Sequence, residues 1–277
     1  PGMKDPASTD VVVHAGKALA TFYLCGQPYQ LALDDLTTLG TATWEPAAGV
    51  SSHCKVDEES GELFFFNYGV EPCLHYGVVD ANEQLVHYTR VPLPGPRTPH
   101  DMAVSERYAI FNDFPLSWDE TLMRDKGLFI PKLHDRPSRF GVLDKRGGGD
   151  STRWFEAEPT YVLHFTNAYE DGEWVGLDGF QQSCSMPAPQ GSGIMRAFRY
   201  LALDAMETRL HRWRFNLATG EVVEERLRDR ITEFGVIDNR RLGRPYRYVY
   251  AATAKPGWFL FDGLVTHDLE TGSDQVR

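Results

Sequence analysis

The feature that most constrains this chain is a strand–turn–strand pattern repeated along its length, with no long stretch of helical period to compete with it. Short runs rich in aromatic and β-branched residues recur: ELFFFNYG (62–69), LHYGVVD and LVHYTRV (within 74–91), RYAIFND (107–113), RFGVLD (139–144), TYVLHFTNAY (160–169), EWVGLDGF (173–180), HRWRFNL (211–217) and YRYVYAA (246–252). Such residues fit a pleated, half-buried surface. Turn sequences separate them, namely EESGEL, VDANEQ, LDKRGGGD, YEDGEW, LATGEV and LETGSD, where Gly, Asn and Asp supply the backbone freedom a reversal needs. Helical pieces are expected only near 116–126 and 200–208. Hairpins recur at intervals of roughly 25–45 residues, near the ~40–50 of a four-stranded propeller blade and wider than the ~8–12 between sandwich strands. The pattern predicts an all-β chain of β-propeller type, a single domain over 1–277, with residues 1–9 disordered. VPLPGPRTP (91–99) and SMPAPQGSG (185–193) read as loops between blades.

Composition narrows the function. With 277 residues and 42% hydrophobic content the chain can bury a sizeable core. Its 28 basic and 39 acidic residues give a net charge of −11. That balance excludes a nucleic-acid partner, which needs a basic face, and leaves no polybasic patch for anionic lipid. No apolar run approaches the ~18 residues of a membrane span. The start, PGMKDPASTD, lacks the basic-then-apolar pattern of a signal peptide. Cys25, Cys54, Cys73 and Cys184 include no C-x-x-C pair, so neither a zinc ribbon nor a redox motif is signalled, and a cytoplasmic location is predicted.

Three of the nine histidines share a setting. His53, in SSHCKVDEESGEL, lies five residues before a turn beginning at Glu58; His100, in TPHDMAVSERYAI, lies five before a turn at Ser105; His164, in LHFTNAYEDGEW, lies six before a turn at Glu170. Each is expected on the first strand of a hairpin. If equivalent strands approach one axis, equal offsets place these side chains at equal height, and three imidazoles converge. Imidazole suits zinc, copper, iron or nickel. Carboxylates nearby usually accept the remaining ring N–H and fix the tautomer. Spacing alone motivates a metal site without identifying the ion. A zinc site from His53, Cys54, Cys73 and His75 is disfavoured, because adjacent residues of a strand point to opposite faces.

The segments around these histidines resemble the carotenoid cleavage oxygenases, a family that includes stilbene-cleaving enzymes. His53-Cys-Lys-Val-Asp57 followed by SGELFFF resembles the family's Ala-His-Pro-Lys-Val-Asp motif with its Gly-Glu-Leu turn. TPHDMAVSERYAIF resembles Met-His-Asp-Phe with a following Thr-Glu-Arg-Tyr, and His164 with Asn167-Ala-Tyr-Glu-Asp171 resembles His-x-x-Asn-Ala-Tyr-Glu-Asp. RWRFNLATGEVVEERL with Glu233-Phe234, then GRPYRYVYAA and LVTHDLETG, resemble later segments, in order, from about residue 10 to the last residue. The resemblance implies a seven-bladed β-propeller with iron(II) on its axis, held by His53, His100 and His164, with Glu233 orienting a ligand histidine. It also implies insertion of O₂ into a conjugated, largely apolar carbon–carbon double bond to give two carbonyl products, without an external reductant. Family members often draw lipid-like substrates from a bilayer, so peripheral membrane contact is expected, although no apolar patch is located in the sequence.

Several positions depart from the family pattern. The family's fourth ligand lies in a His-Gly motif near its C-terminus, and no such motif occurs here. His267, in LVTHDLETG, matches a different strand and reads as structural. The chain is therefore expected to be an internal piece with an incomplete propeller, binding iron loosely and turning over poorly. Leu24-Cys25 stand where many members carry a Glu before Gly-x-Pro, and Tyr23 stands where the stilbene-cleaving branch has a Lys. Cys54 and Gly235 each replace a Pro. His14, His75, His87, His134 and His211 match no ligand position. A non-catalytic protein that keeps the fold without a complete iron site is the alternative. A sugar-acting propeller hydrolase would need paired carboxylates that the sequence does not offer.

Overall fold

The computed structural model describes residues 7–23, 26–44, 46, 49–128, 130–188, 202–254 and 261–277. Among them every sheet is an antiparallel meander, in which each strand pairs with its neighbour in sequence except where an excursion intervenes. The first sheet holds β1 (Asp10–His14), β2 (Lys17–Thr21), β3 (Tyr29–Ala32) and β4 (Thr38–Thr41); the second holds β5 (Lys55–Val56), β6 (Leu63–Tyr68), β7 (Cys73–Val79) and β8 (Leu85–Pro92). The third begins with β9 (Ala103–Val104) and β10 (Tyr108–Asp113). An excursion of β11 (Leu116–Trp118), α1 (Glu120–Lys126) and β12 (Pro131–Leu133) follows, before β13 (Ser138–Asp144) and β14 (Arg153–Ala157) complete that sheet.

A seven-stranded sheet ends the chain. It runs through β15 (Phe165–Asp171), β16 (Trp174–Gln182), β17 (Thr208–Asn216), β18 (Val222–Val236), β19 (Tyr248–Ala254), β20 (Phe261–Asp268) and β21 (Asp274–Val276), with the short α2 (Leu203–Met206) before β17. The long β18 pairs with β17 as far as Ile231 and with β19 from Thr232. Its first part closes a fourth meander and its last part opens a fifth.

The all-β reading of the sequence holds. The two helical pieces are shorter than expected. Leu116–Trp118 pairs with β12 rather than joining α1, and α1 starts where the Asp119 side chain accepts the Leu122 amide at 3.0 Å. Gly127 stops it in the left-handed region at φ 64°, where a residue without Cβ is least strained. Of the stretch expected to be disordered, residues 1–6 lie outside the described residues; Thr9 is tied to Thr21 by its amide at 3.0 Å. The loop at 185–193 lies only partly within the described residues.

Period-two alternation packs the sheets against one another. In β6, Leu63 and Phe65 face the first sheet, in a cluster with Leu19, Ala42, Trp44 and Val50. Phe64 and Phe66 face the third, with Met102, Val104, Ala109 and Phe111. On the third sheet's other side, Ile110, Phe140 and Phe155 meet Phe165, Val175, Leu177, Trp213 and Phe215. Phe180 and Leu210 then meet Val249, Ala251 and Val265 of the fifth meander. Fully burying each such side chain contributes about 1.5–3 kcal/mol. This is why FFF in β6 is tolerable, since both faces of that strand are interior.

Candidate metal centre

His53, His100 and His164 come together at one end of these sheets. Their ring centroids lie 4.9, 4.8 and 5.2 Å apart, a nearly equilateral set. One ligating nitrogen from each falls within 4.8 Å of the others, and Nε2 of His53 is 3.2 Å from Nε2 of His100. Two nitrogens bound at about 2.1 Å to a shared ion stand roughly 3.0–3.4 Å apart, so the His53–His100 pair is already spaced for a shared ion, and the third ring lies close enough to join by a small side-chain movement.

The strand expectation is corrected in detail. None of the three histidines is in a strand. His53 precedes β5 by two residues, His100 precedes β9 by three, and His164 precedes β15 by one. Each meander's first strand stops short of the centre, and the segment leading into it carries the ring. His53 adopts φ 62°, a left-handed conformation that costs a non-glycine residue about 1–3 kcal/mol. Strain of this kind persists only where the surroundings over-determine it.

Carboxylates from the flanking sheets hold two of the rings. His164 Nδ1 donates to Glu233 Oε2 at 2.6 Å, which leaves Nε2 as the nitrogen that can ligate an ion. Glu233 is completely buried, and its other oxygen has no partner among the described residues. It sits where β18 passes from the fourth meander to the fifth, at a bulge between Glu233 and Val236 with Phe234 at φ 53°. Gly235 completes that bulge, and a Cβ there would strike Thr166 and Phe180. Close packing therefore explains the glycine. Asp10, the first residue of β1, accepts from His53 Nδ1 at 3.2 Å. Burial pushes the Asp10 carboxyl up, but the hydrogen bond and charge of His53 outweigh it and hold the pKa down at about 2.

Electrostatics suit an imidazole ligand set. Burial drives His100 well below the usual histidine pKa, reinforced by His164 and His53, so its ring keeps a lone pair to offer. Burial also works to lower His164, yet the Glu233 carboxylate more than offsets it and raises that pKa. In the metal-free protein a proton therefore competes with a cation for His164. The donor set of three imidazoles with two carboxylates behind them matches what a divalent transition metal requires.

The remaining sequence-level positions fall elsewhere. Among the described residues the other histidines join no such cluster. His267 is fully buried in β20 and donates to Asp274 at 2.7 Å; His75 pairs with Asn67 and stacks on Tyr88 at 5.3 Å. Cys54 is a packed residue whose thiol burial raises to about 12. Leu24 and Cys25 lie outside the described residues, while the Tyr23 ring stands 5.6 Å from that of His100. Asp10 was not legible as a site residue, because nothing local distinguishes it from a surface aspartate at a strand start.

A family model described as RPE65, retinal pigment epithelial membrane protein, matches residues 1–277. The carotenoid 9,10(9',10')-cleavage dioxygenase 1 of Phaseolus vulgaris is 30% identical over 254 residues, 89% of this chain and 46% of that protein. The isoeugenol monooxygenase of Pseudomonas nitroreducens is 28% identical over 259 residues, 90% of this chain and 53% of that protein. The chain thus spans about half the length of the curated relatives it matches. Among solved structures, a Pseudomonas brassicacearum lignostilbene dioxygenase aligns with a TM-score of 0.80 and 26% identity over 98% of this chain and 60% of that one. Cobalt-substituted Synechocystis ACO aligns at 0.82 and 23%, over 98% and 59%, a likeness of fold.

Proposed function

The chain belongs to the RPE65, or carotenoid oxygenase, family, and from that premise we propose that it forms part of a non-haem iron(II) dioxygenase acting on a conjugated, apolar alkene. The observation that carries the reading is the convergence of His53, His100 and His164 within 4.8 Å of one another from three successive sheets. The five meanders are read as five consecutive blades of a seven-bladed propeller, with the histidines on its axis. Ferrous ion held there would supply the redox chemistry that lets O₂ react with a carbon–carbon double bond. The reaction is R–CH=CH–R′ + O₂ → R–CHO + R′–CHO, in which both oxygen atoms enter product and no external reductant is consumed.

The protein's own groups have distinct tasks. Glu233 and Asp10 accept the Nδ1 protons of His164 and His53, fix their tautomers and direct Nε2 inward. Their negative charge balances a dication that imidazoles alone leave uncompensated. The Phe234 ring lies 4.2 Å from that of His164 and 5.2 Å from that of Phe261. Together with Tyr23 it gives the site apolar, aromatic surroundings suited to a conjugated substrate. Buried, free Cys54 and Cys73 agree with a reducing, cytoplasmic setting. Among the described residues no helix is long and apolar enough to cross a membrane.

The test is anaerobic reconstitution with iron(II), metal analysis, and O₂ uptake with an apocarotenoid and with a hydroxystilbene. One iron per chain and two carbonyl products per O₂ from either alkene support the reading. An iron content equal in wild type and His100→Ala overturns it.

A further inference from the structure

The three histidines come from segments far apart in sequence, and something must fix their mutual positions before any ion arrives. Asp101, next to His100, has its side chain 1% exposed. Its Oδ1 accepts Lys55 Nζ at 2.7 Å and the Met102 amide at 2.7 Å. Its Oδ2 accepts the Phe165 amide at 2.8 Å. Lys55 lies two residues beyond His53, and Phe165 immediately follows His164. The Asp101 carbonyl is in turn fixed by Asn112 Nδ2 at 2.8 Å, which anchors this residue to β10.

We propose that Asp101 is a positioning residue for the metal site, its buried carboxylate tying the segments that carry His53 and His164 to its own neighbour His100. One carboxylate therefore reaches all three histidine-bearing segments without touching any of their rings. Glu233 and Asp10 act differently, each gripping one imidazole. The donors explain why a carboxylate is required here. An ammonium and two amides present three N–H groups, which two anionic oxygens accept together. An asparagine offers one acceptor and sets its NH₂ against another donor. Lys55 is the movable arm of the tie, and the two backbone amides are its rigid arms.

This inference rests on the metal reading given above, and cobalt(II) alone is the probe. The 277-residue chain is titrated anaerobically, with dissociation constants and visible cobalt bands recorded for wild type, Asp101→Asn, Lys55→Met, Asp268→Asn and His100→Ala, and Tm measured without metal. Asp268, on the fifth meander, pairs with Arg247 and serves as a carboxylate of purely structural role. Asp101→Asn should weaken cobalt binding by about 10–100-fold, the range for residues that orient metal ligands, and should shift the cobalt bands. Lys55→Met should weaken it less and in the same direction, and the double variant should match Asp101→Asn rather than multiply the two losses. Wild-type affinity and bands in Asp101→Asn overturn the proposal, as does a loss no larger than Asp268→Asn shows at a comparable drop in Tm. Should Asp101→Asn fail to fold, Lys55→Met decides, with unchanged affinity and bands counting against the tie. Absence of cobalt bands in wild type, or their persistence in His100→Ala, sinks the metal reading itself and this proposal with it.

Discussion

The second, third and fourth meanders differ from the first and fifth in one physical respect. In the inner three the central strands are interior on both faces, whereas the two end sheets leave apolar side chains exposed on one face. In the fifth, Val249, Ala251 and Val265 are buried, while Val236, Tyr248, Tyr250 and Leu264 on the other side are 62, 41, 45 and 64% exposed. In the first, Leu19 is buried and Val11 and Val13 are 62 and 54% exposed. The division coincides with the chemistry. The inner sheets lead off from the imidazoles, and the end sheets supply the carboxylates Asp10 and Glu233. Ligands thus stand where packing on both sides fixes the backbone, and the groups that orient them reach in from the flanks.

That contrast can be broken or sharpened by substitution. The largest effect is expected at an inner ligand: His100→Ala should abolish iron binding, measured by anaerobic titration with iron(II). Next is an inner core residue. Phe140→Ala, in contact with Trp213 and Phe215, should cost about 3–5 kcal/mol in urea unfolding. A loss below about 1 kcal/mol would mean that the inner sheets pack no better than the ends. Glu233→Gln should weaken metal binding about 10–100-fold. Asp10→Asn should fall near the low end of that range, because its contact is longer and its side chain is 30% exposed. Equal losses would remove the distinction between the two carboxylates.

Smaller effects belong to the end sheets. Leu264→Thr should change stability by less than about 0.5 kcal/mol and reduce self-association in sedimentation, since the exposed apolar face loses its most projecting residue. The smallest is a pH effect at the joint between the first two sheets, where His14 Nε2 donates to the Gly61 carbonyl at 3.1 Å. Burial lowers the His14 pKa below the ordinary 6.5, so between the folded and unfolded values the unfolded chain binds the extra proton. Its contribution to stability is present above about pH 6.5 and is lost as pH falls below it. His14→Gln should flatten that part of the stability–pH curve.

The strands, their turns and the buried alternation were legible because they depend on residues two apart, as LFFF in β6 illustrates. The boundaries around the histidines were not. The run TYVLHFT (160–166) reads as β throughout, yet regular pairing begins only at Phe165, because the residues before it fall out of register and keep only single bonds to β16, the Phe180 and Gln182 amides donating to the His164 and Tyr161 carbonyls. Glu233 follows a charged run, EERLRDR, that locally resembles a solvated edge. Only the passage of β18 between two meanders puts it out of water.

By itself the sequence determined an all-β chain, its approximate strands, and three histidines with a shared offset, since each of these follows from local composition and short-range period. Glu233 as the partner of a ligand histidine came only through the family resemblance; tertiary structure alone decided that the ring it holds is His164, that Asp10 meets His53, and that Lys55, Met102 and Phe165 share the Asp101 carboxylate. Except at the adjacent Met102, those contacts join residues 43 to 69 positions apart. Nothing in the residues themselves encodes such a meeting; it is fixed by how successive sheets stack.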